Sequence, residues 1–334
     1  MSRGRRRFLG GAAATALAAA LPTGGRAFAR DTGSAPDPGS APDTGSAPDT
    51  GERGLAGRLR ALEQAHGARL GVLAHGTATG RTLAYRADEP FPMCSTFKTL
   101  AVAAVLRDLD HDGTFLAERL HYTERDVTQA GHAPVTGLPA NLEGGLTVEE
   151  LCAAALTHSD NAAANLLLRA LGGPTAVTRF CRSLGDRVTR LDRWEPALNS
   201  AEPGRITDTT SPRAIARDYA RLTLGNALDP ADRRRLTGWL LHNTTGAHRL
   251  RAGLPADWTV AEKTGTGDYG TTNDVGLTAP PGRPPITIAL LSTRHAPAAP
   301  PDEPLLAATA ALLASALARP PGPGTAGRVN GPRG

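Results

Sequence analysis

The chain of 334 residues holds 35 Arg but only two Lys, Lys98 and Lys263. A guanidinium keeps its proton in a protein, whereas a buried amine with a lowered pKa can act as a base. Where Arg fills almost every cationic position, the two exceptions are candidates for proton chemistry. Lys98 closes the stretch CSTFK, Cys94 to Lys98. At a helix start that three-residue spacing puts Ser95 and Lys98 on one face, one turn apart. An amine there could activate the hydroxyl, which is a poor nucleophile unaided, and the N-terminal N–H groups of the helix face developing negative charge. Lys263 opens KTGTG, Lys263 to Gly267, at the end of a short strand. The small residues Thr264, Gly265 and Thr266 let a substrate lie against the strand edge. HSDN, His158 to Asn161, falls at a turn into a helical stretch, where Ser159 or Asp160 is also a natural N-cap. Taken singly, these motifs fit a helix cap with a surface Lys, a Gly-rich hairpin turn and a second cap.

Their company is more specific. S-x-x-K, S-D-N and K-T-G follow in that order at separations of about 60 and 100 residues, and together they resemble the penicillin-recognising serine enzymes, the class A β-lactamases and penicillin-binding proteins. The resemblance covers about Leu55 to Arg319. It implies an α/β (α+β) fold, an antiparallel sheet flanked by helices with an inserted all-helical domain and the active site between. It implies Ser95 as the acylated nucleophile and Lys98 as its proton partner. Ser159 would pass a proton toward the lactam nitrogen, and Asn161 would bind the substrate side-chain amide. Lys263 and Thr264 would hold the substrate carboxylate, with Gly265 in the same strand edge, and the N–H groups of Ser95 and Thr266 would form the oxyanion hole.

Those motifs provide acylation only. A hydrolase must also deliver water to the ester, and RWEPALN, Arg193 to Asn199, is similar to the segment that class A β-lactamases use for it. Glu195 would be the general base, and Asn199 would help hold the water. Fifteen residues after Arg193, DTTSP places Asp208 where the resemblance expects a partner for Arg193 across the neck of a loop. Three positions bear on substrate range. Thr272 stands where the family often has an Arg near the substrate carboxylate, and Arg249 in TTGAHRLRAG is the alternative source of that charge. His132, in QAGHAPVT, falls where an aromatic commonly walls the entrance. Relatives that hydrolyse carbapenems can carry a disulfide from the position of Cys94 to the residue after KTGT. That residue is Gly267 here, so no bridge forms and broad carbapenemase activity is not expected. The implied function is hydrolysis of penicillins and some cephalosporins, with resistance as its consequence. A D-alanyl-D-alanine peptidase or transpeptidase shares the three motifs but would stall as a penicilloyl adduct. A β-lactam-sensing or peptidoglycan-binding module would lack turnover, and its usual attached segments are not found.

The elements that must position these residues divide by periodicity. GLAGRLRALEQAHG reads as an amphipathic helix closed by Gly67, and Arg69 to Asp88 as a hairpin. The middle is helical: Thr96–Asp108, Thr147–Leu156 after a Thr-x-x-Glu cap, Asn161–Leu171, Pro174–Leu184, Ser211–Leu222 and Pro230–Leu240. Strands return at Trp258–Lys263, Thr271–Leu277 and Pro285–Ser292, before a last helix from about Glu303 to Leu317. The sheet is thus built from both chain ends.

Residues 1–29 read as a twin-arginine-type signal: Arg5, Arg6 and Arg7 before Phe8 and Leu9, an apolar Ala/Leu stretch, then Ala27-Phe28-Ala29. Residues 30–53, with their DTGSAP repeat, read as a flexible linker, residues 54–319 as the catalytic domain and residues 320–334 as a disordered tail. The signal carries five Arg and no acid, so the remainder has 32 basic and 32 acidic residues. Nucleic acid and acidic membrane lose their main attraction, and no later stretch is apolar enough to anchor in a bilayer. The expected partner is a small β-lactam, the expected location extracytoplasmic and the expected state monomeric. Three Cys allow at most one disulfide within the chain, with Cys152 and Cys181 expected as buried thiols. The sequence has no C-x-x-C, H-E-x-x-H or tight His cluster, which argues against a zinc site. No metal or organic cofactor is expected.

Overall fold

The computed structural model describes residues 52–318. The signal, nearly all of the linker and the tail lie outside them. Five antiparallel strands form the main sheet in the order Thr82–Tyr85, Arg69–Gly76, Ile286–Thr293, Thr271–Ala279, Thr259–Gly267. The chain ends therefore interleave: Ala74 pairs with Ile288, and Thr264 with Asp274. Side chains alternate across a strand, and here both faces are covered. Leu70, Val72, Ile288 and Leu290 turn toward the terminal helices, where they pack with Leu59, Leu305 and Leu313. Leu73, Ala289 and Leu291 turn the other way, into the core shared with the helical lobe.

The terminal helices Glu52–Ala65 and Glu303–Ala318 pack on each other and on the sheet. Helix Phe97–Asp108 runs through the helical lobe and buries every residue from Phe97 to Leu106. Burial all round marks a central helix. Around it stand Val148–Thr157, Asn161–Ala170, Thr175–Ser183, Pro212–Thr223 and Pro230–Leu241. The expected cap forms: Thr147 accepts from Glu150 N while the Glu150 side chain takes the Thr147 N–H.

Two expectations need correction. The strand expected to stop at Lys263 continues to Gly267, so KTGTG is the outer edge of the sheet and only Asp268–Gly270 make the turn. Glycines weaken a strand alone, but here each residue from Lys263 to Gly267 pairs with one from Thr271 to Val275. The short helices Thr114–Ala117, Glu124–Ala130 and Pro139–Gly144 were not expected; one or two turns are too few to show a 3.6-residue period. Among the described residues no helix is long and apolar enough to cross a membrane.

Candidate active site

Ser95 does not open the long helix itself. It sits in a buried 3₁₀ turn, Cys94–Thr96, that leads into helix Phe97–Asp108. Cys94 has a φ of 45°, a sparsely populated region for a residue with a side chain. Neighbours on three sides hold it there. Asn273 donates to the carbonyls of Pro92 and Met93, Tyr219 donates to the carbonyl of Thr96, and the outer strand packs alongside. Gly265 allows that approach: a Cβ there would lie 2.8 Å from Met93 O and 3.2 Å from Cys94 Cβ.

The turn before helix Asn161–Ala170 is held just as firmly. Asp160, not Ser159, is its N-cap and accepts from Ala163 N. The same buried carboxylate accepts from the N–H groups of Val135 and Thr136 and from the Thr136 hydroxyl. Ser159, with a φ of 57°, is thereby presented to both lysines. Lys263 Nζ donates to Ser159 Oγ at 3.0 Å, and Lys98 Nζ lies 3.3 Å from the same oxygen. Lys98 Nζ also donates to Asn161 Oδ1 at 2.6 Å and to Ser159 O at 2.7 Å.

Glu195 enters from the third side. Its Oε1 accepts from Ser95 Oγ at 3.3 Å and lies 3.1 Å from Lys98 Nζ, while Oε2 accepts from Asn199 Nδ2. The backbone of Glu195 is clamped by one side chain, since Asn165 donates to its carbonyl and accepts from its N–H. Farther out, Arg193 Nε donates to Asp208 Oδ2 at 2.5 Å, and Asp208 Oδ1 accepts the N–H groups of Asp192 and Arg193. The chain from 193 to 208 is therefore tied at its neck.

Burial sets the charge state of both amines. Desolvation lowers the Lys98 pKa against the opposing pull of Glu195. Lys263 is pushed well below the ordinary Lys value by burial, then by the positive charges of Lys98 and Arg249. Both side chains are fully buried, and burial disfavours the charged form of each amine. Arg249 lies beneath the outer strand, donating to the carbonyls of Gly265 and Asn273 and to Thr266 Oγ1, with Glu303 as ion partner. Thr272 is buried and donates to Gly270 O. His132 is exposed at the rim, where its carbonyl accepts from Asn161 N.

Ser95, Lys98, Ser159, Asn161, Glu195, Asn199 and Lys263 thus converge in one connected cluster, with Arg249 engaged beneath the strand and the Arg193–Asp208 pair farther out. Three supporting side chains escaped the sequence. Asn165 stands four residues after Asn161, and that helical spacing is a usable signal. Asn273, and Thr245, whose hydroxyl meets that of Thr264, lie in stretches with no local motif. All three cysteines are buried free thiols. A Cβ at Gly267 would approach within 2.7 Å of Cys94 Sγ, so glycine there leaves the Cys94 thiol without a covalent partner.

A family model described as the β-lactamase enzyme family matches residues 54–317. A β-lactamase of Streptomyces lavendulae is 70% identical over 260 residues, spanning 78% of this chain and 85% of that protein. The carbapenem-hydrolyzing β-lactamase KPC of Klebsiella oxytoca is 49% identical over 230 residues, 69% of this chain and 77% of that protein. The solved structure of a β-lactamase from Streptomyces albus G matches with a TM-score of 0.78 at 64% identity, covering 78% of this chain and 98% of that one.

Proposed function

The chain belongs to the β-lactamase enzyme family, and on that premise we propose that it opens penicillins, and early cephalosporins, through an ester on Ser95 that Glu195 helps to hydrolyse. As a class A serine β-lactamase it hydrolyses β-lactams and confers resistance to them. Ser95 Oγ attacks the lactam carbonyl as Lys98 takes its proton. The N–H groups of Ser95 and Thr266 stabilise the oxyanion, each donor of this kind contributing ~3–4 kcal/mol in related acyl transfer. Ser159, between two lysines, returns a proton to the lactam nitrogen as the C–N bond breaks. Lys263, Thr264 and Arg249 hold the substrate carboxylate, Asn161 its side-chain amide, and His132 lines the entrance.

The observation that carries the hydrolytic reading is the position of Glu195. Its buried carboxylate touches the nucleophile through one oxygen and Asn199 through the other. Asn199 keeps a buried Oδ1 without a partner, so a water between the two side chains meets an acceptor on each. Glu195 removes a proton from that water as its oxygen attacks the ester. The direct hydrogen bond from Ser95 favours a second reading, in which Glu195 in place of Lys98 accepts the serine proton during acylation. The carbapenem activity named for the Klebsiella relative is not carried over, because Gly267 provides no thiol for Cys94.

The test mixes the purified protein with benzylpenicillin and follows lactam loss and intact mass, for wild type and Glu195→Ala. Rapid turnover by the wild type with an accumulating adduct in the variant supports the reading. A persistent adduct on the wild type overturns it. If Glu195 serves acylation as well, the adduct also forms more slowly in the variant. We further assign residues 1–29 as a twin-arginine-type export signal, 30–53 as linker, 54–319 as the catalytic domain and 320–334 as tail, giving an exported monomer. The chemistry calls on no metal or organic cofactor and on no nucleic acid.

A further inference from the structure

Behind the neck of the 193–208 segment, three donors from three elements meet. Cys181 lies in the last turn of helix Thr175–Ser183, Asp186 in the turn that follows, and Asp218 midway along helix Pro212–Thr223. All three are buried, and their thiol and carboxylate atoms lie within 4.8 Å of one another. Asp186 is oriented by the N–H groups of Val188 and Thr189. Asp218 differs: it is fully buried and no donor outside the cluster reaches its carboxylate oxygens, whose polar neighbours are the Asp186 carboxylate and the Cys181 thiol. Its own helix has no backbone donor to spare at that position, and a buried carboxyl without a donor is costly. Burial, then the charge of Asp186, pushes Asp218 up to about 9, and burial likewise raises the Cys181 thiol. On the carboxylate side a cavity of about 260 Å³ is lined by Asp186 and Asp218 together with Arg187, Arg213, Arg217 and Arg221, while Cys181 lies behind it.

We propose that Cys181, Asp186 and Asp218 form a binding site for a divalent cation of the Zn²⁺ class, which staples the two helices together behind the loop neck. One sulfur with two carboxylates suits a borderline-soft ion, whereas Mg²⁺ and Ca²⁺ take six or more oxygens. Zinc bonds of ~2.0–2.3 Å set tetrahedral donors roughly 3.3–3.8 Å apart, so small side-chain rotations close the set. The cavity leaves the fourth position to water. On binding, the ion replaces the Cys181 thiol proton and the Asp218 carboxyl proton, and both pass to solvent. Three anionic ligands around a dication leave one negative charge. The guanidinium of Arg221, beside Gly185 and attractive to Asp218, offsets it. The linear sequence argued against a zinc site because these donors share no short spacing and include no His; the fold supplies the adjacency.

Cd²⁺ serves as the probe, because its thiolate bond gives an ultraviolet charge-transfer band. Titration of the full chain is expected to raise that band to saturation at one equivalent, with release of protons and a rise in Tm. Zn²⁺ added afterwards is expected to displace the Cd²⁺. Cys181→Ser is expected to abolish the band, while Cys94→Ser and Cys152→Ser retain it. Asp218→Asn, an isostere of the protonated acid, is expected to weaken binding at least roughly tenfold. Turnover of a chromogenic lactam by each variant reports that it is folded. No band on the wild type, or an undiminished band in Cys181→Ser or Asp218→Asn, overturns the proposal.

Discussion

Two buried glutamates on opposite sides of the molecule show what burial does when partners are supplied for different ends. Glu63, on the opening helix, accepts from Leu70 N, the Tyr85 hydroxyl, Arg86 Nε and Arg86 Nη2. Burial alone would raise its pKa, but these donors outweigh it and the value falls. Every partner is structural. Glu195 is equally hidden, yet its oxygens meet Ser95, Lys98 and Asn199. Lys98 is itself divided among Glu195, Ser159 and Asn161. The first carboxylate is satisfied by groups that never leave it. The second meets groups to which the proposed reaction assigns a part. The two sites differ less in burial than in what their partners are: arginine, tyrosine and backbone donors for Glu63, and a serine, a lysine and an asparagine for Glu195.

The contrast is broken most sharply from the reactive side. Glu195→Ala is expected to lower kcat for benzylpenicillin by about 10²–10⁴-fold, the usual scale for a positioned base, with stopped-flow and steady-state kinetics as the check. Arg249→Ala comes next. Losing a charge-assisted contact to the substrate carboxylate is expected to reduce kcat/KM by roughly 10- to 100-fold, mainly through KM, and a series of penicillins measured at saturating and subsaturating concentration separates the two parameters.

From the structural side, Glu63→Gln is expected to cost about 1–3 kcal/mol of unfolding free energy while kcat/KM stays near that of the wild type. The folded-state pKa of Glu63 is depressed. Its contribution is therefore present above the ordinary carboxylate range and is lost as pH falls through the folded value. The gap between wild type and Glu63→Gln in urea unfolding should shrink on acidification; a gap independent of pH would mean the charge is not what matters. The smallest effect belongs to Asp88→Asn, which removes an exposed pair with Arg213. Pairs of this kind contribute under ~1 kcal/mol, and a Tm change beyond a few degrees would contradict that.

Much of this was legible because the reactive groups lie in short motifs, each confined to one local turn. Ser95 and Lys98, or Ser159 and Asn161, declare themselves before any fold is known. The neck pair Arg193 and Asp208 needed the family pattern as well. What stayed hidden is contact through space between stretches that look ordinary. Asn273 secures the Cys94 turn from 179 positions away, and nothing near it says so. KTGTG looked like a turn because glycine content outweighed pairing that only a neighbouring strand could supply. Cys181 looked like a core thiol, which it is, until Asp218 is brought beside it.

The interleaved sheet also has a consequence in time. Ala74 pairs with Leu83 at once but must wait for Ile288 on its other side, and at a synthesis rate of 5–20 residues per second that gap lasts about 10–40 s. Throughout it the first hairpin has only a short partner strand, a sheet too small to stand alone. The outer strand with Lys263 likewise has no sheet to join until its successors are made. A nascent chain can therefore gather helices of its lobe before Asn273 and the outer strand are there to secure the turn that carries Ser95. The nucleophile's turn and the edge strand beside it are completed by the same late part of the chain.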